Sequence, residues 1–211
     1  MPQVIVLAEG FSHTIEGGNT EANCSCVLIK GRDNIIVDTM TAWDKDIIIE
    51  GLANHGVSPN DIAFVVCTHS HADHIGNNNL FLRADHIVGT CVHNRTVFTN
   101  EFRDAHYQLC PGVKLLRTPG HTHDDVSVIV ESTVDGEKVT IAIVGDLFEM
   151  EDDLAKPEIW QAVGVKELRK TQAENRFLVV TLADYIIPGH GKMFKVTDEV
   201  RRLLKSQIPV D

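Results

Sequence analysis

The chain has 211 residues, of which 43% are hydrophobic and 23% charged, and it carries a formal net charge of −11. That length is enough for one buried core, and no apolar run in it is long enough to span a bilayer. The acidic balance makes long-range attraction to a polyanion weak or repulsive over most of the surface.

The N-terminal MPQVIVLAEG has no basic segment before its short apolar run, so Val4–Leu7 reads as a first strand rather than a signal peptide. Further β-branched runs predict strands at Val27–Lys30, Ile35–Asp38, Ile62–Thr68, His86–Val88, Lys114–Arg117, Val126–Glu131 and Val139–Val144. The Asp-Gly pair within Val134–Lys138 predicts a hairpin between the last two. Helical patterns fall at Ala42–His55, Glu158–Gln172 and Thr197–Ser206. Pro157 and Glu158 suit the first turn of the second helix, and Thr197 with Asp198 can cap the third. No linker or internal repeat interrupts the pattern, which predicts a single α/β domain over residues 1–211. Five cysteines, with only a Cys-x-Cys at Cys24 and Cys26, suit reduced thiols better than a disulfide framework. They point to a cytosolic or nuclear setting.

CTHSHADHIGN, from Cys67 to Asn77, crowds His69, His71, Asp73 and His74 into six positions at the end of a buried-strand pattern. In an extended segment His69 and His71 point the same way, while Asp73 and His74 follow a turn and can face a second point nearby. Strand, turn and coordinating group recur in LLRTPGHT (His121), TIAIVGD (Asp146) and DYIIPGHG (His190). Imidazole and carboxylate suit zinc, with iron or manganese as alternatives. His69, His71 and His121 can fill one site, Asp73, His74 and His190 a second, and Asp146 can bridge the two. A hydroxide held between two cations is nucleophilic at neutral pH, and Asp73 is the candidate to share its protons as a catalytic group.

Any one of these histidines alone reads more often as an ordinary surface or core residue, and a structural zinc site would favour cysteine. Cys67 reads as core packing. His123 reads as a neighbour of the ligands or a solvated group, and His13, His55, His86, His93 and His106 match no ligand pattern.

HSHADH at His69–His74, GH at Gly120–His121, GD at Gly145–Asp146 and PGHG at Pro188–Gly191 resemble the motifs of the metallo-β-lactamase superfamily. VDT at Val37–Thr39 resembles an early strand-end motif of that superfamily. Met40 stands where a glycine usually follows, so no function is assigned to that turn. The resemblance covers nearly the whole chain and implies a four-layer αββα sandwich with a di-metal site at one sheet edge. THSHADHIGNNNLF, TPGHTHDDVSVIV, VGDLFE, IWQA and IIPGHGKMFKV are similar to a narrower, glyoxalase II-like branch. For that branch the resemblance implies two zinc ions, a cytoplasmic and nuclear location, a homodimer, and an endoribonuclease acting on histone pre-mRNA 3′ ends.

Three activities are therefore expected in competition. RNA phosphodiester hydrolysis is favoured by the resemblance, and Lys192, Lys195, Arg201, Arg202 and Lys205 are candidates to touch phosphates. Their bland reading is the solvated face of the last helix. The net charge and the acidic EMEDD after Asp146 oppose RNA. A thioesterase or acyl hydrolase of the glyoxalase II type, acting on a small acyl substrate, is the second expectation. A mono-iron persulfide dioxygenase or a non-catalytic metal-binding protein is the third. No membrane partner is expected.

Overall fold

The computed structural model describes residues 1–99, 102 and 106–209. The chain opens with β1 (Gln3–Ala8) and a hairpin of β2 (Phe11–Thr14) and β3 (Thr20–Asn23). It continues through β4 (Cys26–Lys30), β5 (Asn34–Val37), α1 (Lys45–Asn54), β6 (Ile62–Cys67), the single-turn α2 (Ala72–Ile75), β7 (Asp85–Val88), β8 (Cys91–Asn94) and β9 (Val97–Thr99). A second set follows: β10 (His106–Cys110), β11 (Val113–Arg117), β12 (Val126–Val134), β13 (Glu137–Gly145), α3 (Glu158–Val163), α4 (Arg169–Leu182), β14 (Tyr185–Pro188), β15 (Phe194–Lys195) and α5 (Asp198–Ser206).

Seven strands form one sheet in the order β1-β4-β5-β6-β7-β8-β9, and β10 to β15 form a second in chain order. Pairing is antiparallel except for β5–β6, β6–β7 and β13–β14. Alternation of side chains along the strands decides how the sheets stack. Val27 and Ile29 of β4 join Val113, Leu115, Val128 and Val130 in the core between the sheets. Leu28, between them, turns to the opposite face and packs with Ile48 and Leu52 of α1. On the far side Ile129, Ala142 and Val144 lie against Val179 and Val180 of α4 and Leu204 of α5. The result is the expected αββα order of layers. Its central strands are buried on both faces, which is why they read as unbroken apolar runs in the sequence. Each such Val, Leu or Ile contributes about 1.5–3 kcal/mol by leaving water.

The eight expected strands are present, as β1, β4, β5, β6, β7, β11, β12 and β13. Asp135 (φ 51°) and Gly136 (φ 85°) form the two-residue hairpin turn. Thr197 Oγ1 accepts the Val200 N–H at 3.3 Å and caps α5. The expected helix over Glu158–Gln172 is corrected. It breaks at Gly164, whose backbone is extended (φ −78°, ψ 168°), and resumes as α4, which runs on to Leu182. Glycine is the weak point of a helix interior, and the break lets the Val165 N–H reach the His121 carbonyl at 3.2 Å.

The two sheets are tied at one edge. The Val126 N–H donates to Thr68 O (2.9 Å) and the Ser25 N–H to Gly189 O (2.7 Å), while within the first sheet the Asp38 N–H donates to Val66 O (2.9 Å). The ends of β5, β6, β11, β13 and β14 converge there, and every candidate ligand follows one of the last four, Asp73 and His74 within α2.

Candidate metal centre

All seven predicted groups meet at this edge. His69, His71, His121 and Asp146 form one cluster, and Asp73, His74 and His190 form another. His121 Nε2 lies 3.0 Å from His71 Nδ1 and 3.3 Å from Asp146 Oδ2, and His69 Nε2 is 3.6 Å from the same oxygen. In the second cluster, Asp73 Oδ2 lies 3.8 Å from both His74 Nε2 and His190 Nε2. Asp146 faces this cluster too, with Oδ1 at 3.2 Å from His74 Nε2 and Oδ2 at 3.3 Å from His190 Nε2.

The chemistry of these groups fits cations. His69 Nε2, His74 Nε2 and Asp146 Oδ1 are buried and make no hydrogen bond. Withdrawing such groups from water is costly unless a partner replaces it. Imidazole nitrogens and carboxylate oxygens converging without a thiolate are a donor set for zinc, iron or manganese. Cys24 shares a third buried group with Asp38 and His74. Burial pushes its thiol well above the usual range, so it stays protonated, and Asp38 is already engaged by His74 and Thr68.

The reverse faces of the rings are held. His74 Nδ1 lies 3.0 Å from Asp38 Oδ2, and His190 Nδ1 lies 3.0 Å from the Asn23 carbonyl. Carboxylate and carbonyl oxygens only accept, so Nδ1 carries the proton in both rings and Nε2 is turned inward. This is how outer hydrogen bonds select the coordinating nitrogen. His69 Nδ1 lies 3.2 Å from Thr68 Oγ1, and the Thr68 N–H donates to Asp38 Oδ1 at 2.7 Å. The turn carrying His121 is fixed by Asp125, which accepts the Gly120 N–H (3.0 Å) and the Thr122 N–H (2.6 Å). Burial pushes the Asp125 carboxyl up to about 7, against these donors.

Charge divides the centre. Burial and neighbouring His74 hold His69 neutral, well below the usual imidazole range, and burial lowers His121 to about 4. Burial opposes charge on His74 and His190 as well. There the carboxylates outweigh it: Asp146 and Asp38 raise His74 well above its usual value, and Asp146 lifts His190 to about 9. Asp146 in turn stays ionised despite burial, because His74 and His190 face it.

Sequence reasoning missed three contributors. Asp38, in a left-handed conformation (φ 57°), is the group that orients His74, although VDT had marked the turn. Glu149 is buried, with Oε1 3.6 Å from His121 Nδ1 and Oε2 3.9 Å from His190 Nε2. In the sequence it stands out only as part of the acidic EMEDD. Asn23, in the unpredicted β3, gave no sequence signal. His123 is exposed and outside both clusters. It lines a cleft of about 430 Å³ with His69, Ser70, Val88, Gly89 and Cys91.

The metallo-β-lactamase superfamily profile matches residues 19–190. The chain belongs to that superfamily. Metallo-β-lactamase domain-containing protein 1 of Xenopus laevis is 38% identical over 197 residues, covering 92% of this chain and 81% of that protein. Against the human protein of the same name the chain spans 62% of the relative's length, at 37% identity. A protein of Methanocaldococcus jannaschii named as a metallo-hydrolase is 34% identical, covering 76% of this chain and 73% of its own. Among solved structures, a Bacillus thuringiensis protein with N-decanoyl-L-homoserine bound at its active site superposes with a TM-score of 0.63. It is 20% identical and covers 90% of this chain and 92% of its own, a likeness of fold.

The chain is thus a superfamily hydrolase, and its fold implies divalent metal ions held among these His and Asp clusters. Among the described residues, no helix is long and apolar enough to cross a membrane. Of the basic residues after His190, Arg201 is engaged with the backbone and Arg202 with a surface glutamate. Arg201 donates to the Val180 (2.9 Å) and Ala183 (3.2 Å) carbonyls, and Arg202 pairs with Glu199 at 3.0 Å.

Proposed function

We propose that this hydrolase works with two divalent cations, zinc in the first instance, and that its substrate is RNA. His69, His71 and His121 hold one ion, Asp73, His74 and His190 the other, and Asp146 is shared. The observation that carries the two-ion reading is the position of Asp146, whose oxygens face nitrogens of both clusters at 3.2–3.3 Å. When bound, the ions polarise the scissile group and make water nucleophilic at neutral pH.

The chain's own groups then divide the work. Asp38 and the Asn23 carbonyl hold His74 and His190 with Nε2 inward. Asp73, with 24% of its side chain exposed, is the cluster carboxylate that solvent reaches most readily, and so the one placed to carry a proton to or from the reacting water.

RNA is supported by the identity to the domain-containing protein 1 relatives, whose branch the motifs resemble, and by the use of paired ions on phosphodiesters. With Arg201 held by the Val180 and Ala183 carbonyls, the basic cluster after His190 offers RNA few free cations. Acyl-ester or thioester hydrolysis is the second reading. The bound N-decanoyl-L-homoserine of the Bacillus fold relative and the net charge of −11 both favour it.

The test is incubation of zinc-loaded protein with labelled single-stranded RNA, beside a panel of lactones and thioesters. A His69→Ala/Asp73→Ala variant purified identically is the control. RNA cut by the wild type and spared by the variant supports the nuclease. Intact RNA with acyl turnover transfers the protein to the second reading.

A further inference from the structure

Glu149 has no place in the seven-ligand scheme. Its side chain is 7% exposed, yet Oε1 makes no hydrogen bond. Burying a carboxylate in this way is costly unless a positive group lies opposite. Its backbone is pinned on both sides. The Glu149 N–H donates to Asp153 Oδ2 (2.8 Å), and the Glu149 carbonyl accepts the His190 N–H (2.7 Å). The second bond ties Glu149 to a histidine of the second cluster, and its carboxylate stands in a buried group with Asp146 and His190.

The distances permit a shared cation. Two atoms bound to one ion at about 2.0–2.2 Å can be no more than about 4.3 Å apart. Glu149 Oε2 lies 3.9 Å from His190 Nε2. The other oxygen lies 3.6 Å from the reverse nitrogen of His121, too far for a hydrogen bond, so the carboxylate stands between the clusters and reaches toward the second with Oε2.

We propose that Glu149 is a further metal-site carboxylate that makes the second position oxygen-rich and shifts its preference toward a harder cation such as Mn2+. Asp146 and Glu149 share a group with His190, and Asp73 and His74 share another with the same ring, so three carboxylates and two imidazoles gather about the second position. The first offers three imidazoles and Asp146. Imidazole suits zinc well, whereas added carboxylate oxygen favours manganese and iron chemistry. This inference rests on the two-ion reading above.

The full chain, stripped by chelator, is dialysed against an excess of equimolar Zn2+ and Mn2+. Ions per chain are counted by elemental analysis, and bound Mn2+ is observed by electron paramagnetic resonance. Glu149→Gln keeps the shape and removes the charge, and should lower the bound Mn:Zn ratio roughly tenfold or more while the ion total stays the same. Glu149→Asp keeps the charge with a shorter reach and should fall between. Circular dichroism confirms folding of each variant. Two ions per chain with an unchanged ratio in both variants overturns the role of Glu149 alone. A single ion in the wild type sinks the two-ion reading, and this inference with it.

Discussion

His74 Nδ1 and Asp38 Oδ2 stand 3.0 Å apart with both side chains withdrawn from water, 0% and 1% exposed. The pair joins the residue after β5 to α2, so one hydrogen bond fixes both the tautomer of His74 and the approach of that helix to the strand end. Asp38→Asn keeps an acceptor but loses the charge, and its amide can turn the wrong way. Affinity at the second position should fall about 10–100-fold, as for other partners behind a coordinating histidine. Chelator competition measures this. An unchanged second affinity would remove Asp38 from the role assigned here.

A buried ion pair braces the loop after Asp146. Arg176 meets Asp153 through Nη1 to Oδ2 (3.0 Å) and Nη2 to Oδ1 (2.5 Å), donates to the Leu147 carbonyl (2.8 Å), and lies 3.9 Å from the centre of the Phe148 ring. Arg176→Met strands a buried carboxylate and should cost about 3–5 kcal/mol in urea unfolding. Adding Asp153→Asn should return part of that loss, because the stranded charge is then gone. Strict additivity of the two single losses would show that the pair is not coupled.

The layers and the seven side chains that cluster at the sheet edge were legible because both leave strong local patterns. Buried central strands are continuous apolar runs, and the ligands sit in turns directly after them. What escaped notice depended on distant contacts. β2 and β3 are short and polar, and Asn23 matters only because its carbonyl meets His190, 167 positions away. The break at Gly164 depends on the His121 carbonyl that Val165 bonds. Asp38 and Glu149 lay in noticed stretches, but nothing local says which ring a carboxylate will face.

Gly145 precedes Asp146 in a left-handed conformation (φ 51°), and a Cβ there would stand 2.7 Å from the Thr68 Cβ. Gly145→Ala therefore meets both backbone strain and a packed neighbour, and overpacking alone costs about 1–3 kcal/mol. Gly136, at φ +85°, has nothing within 4 Å of such a Cβ. Gly136→Ala should lose only about 1 kcal/mol, from conformation alone, with metal uptake intact. Thermal melts and ion counts of the two variants separate clash from strain. Equal losses, with equal ion content, would mean that Thr68 does not crowd Gly145.

Ion loading should depend on pH unequally at the two positions. In the metal-free protein His69 and His121 are neutral at pH 7, since burial lowers His121 to about 4 and His69 well below its usual value. An ion entering there displaces no proton from either ring. His190, despite burial, is lifted to about 9 by Asp146, so it is protonated at pH 7 and must release that proton to an ion. His74 is raised well above its usual value and must release a proton as well, so affinity at the second position should rise as pH climbs from 6 toward 9, about tenfold per unit for each proton displaced. Affinity at the first should change little over the same range. Titration calorimetry in buffers of different ionisation enthalpy counts the protons directly. Equal proton release at both steps would contradict this division.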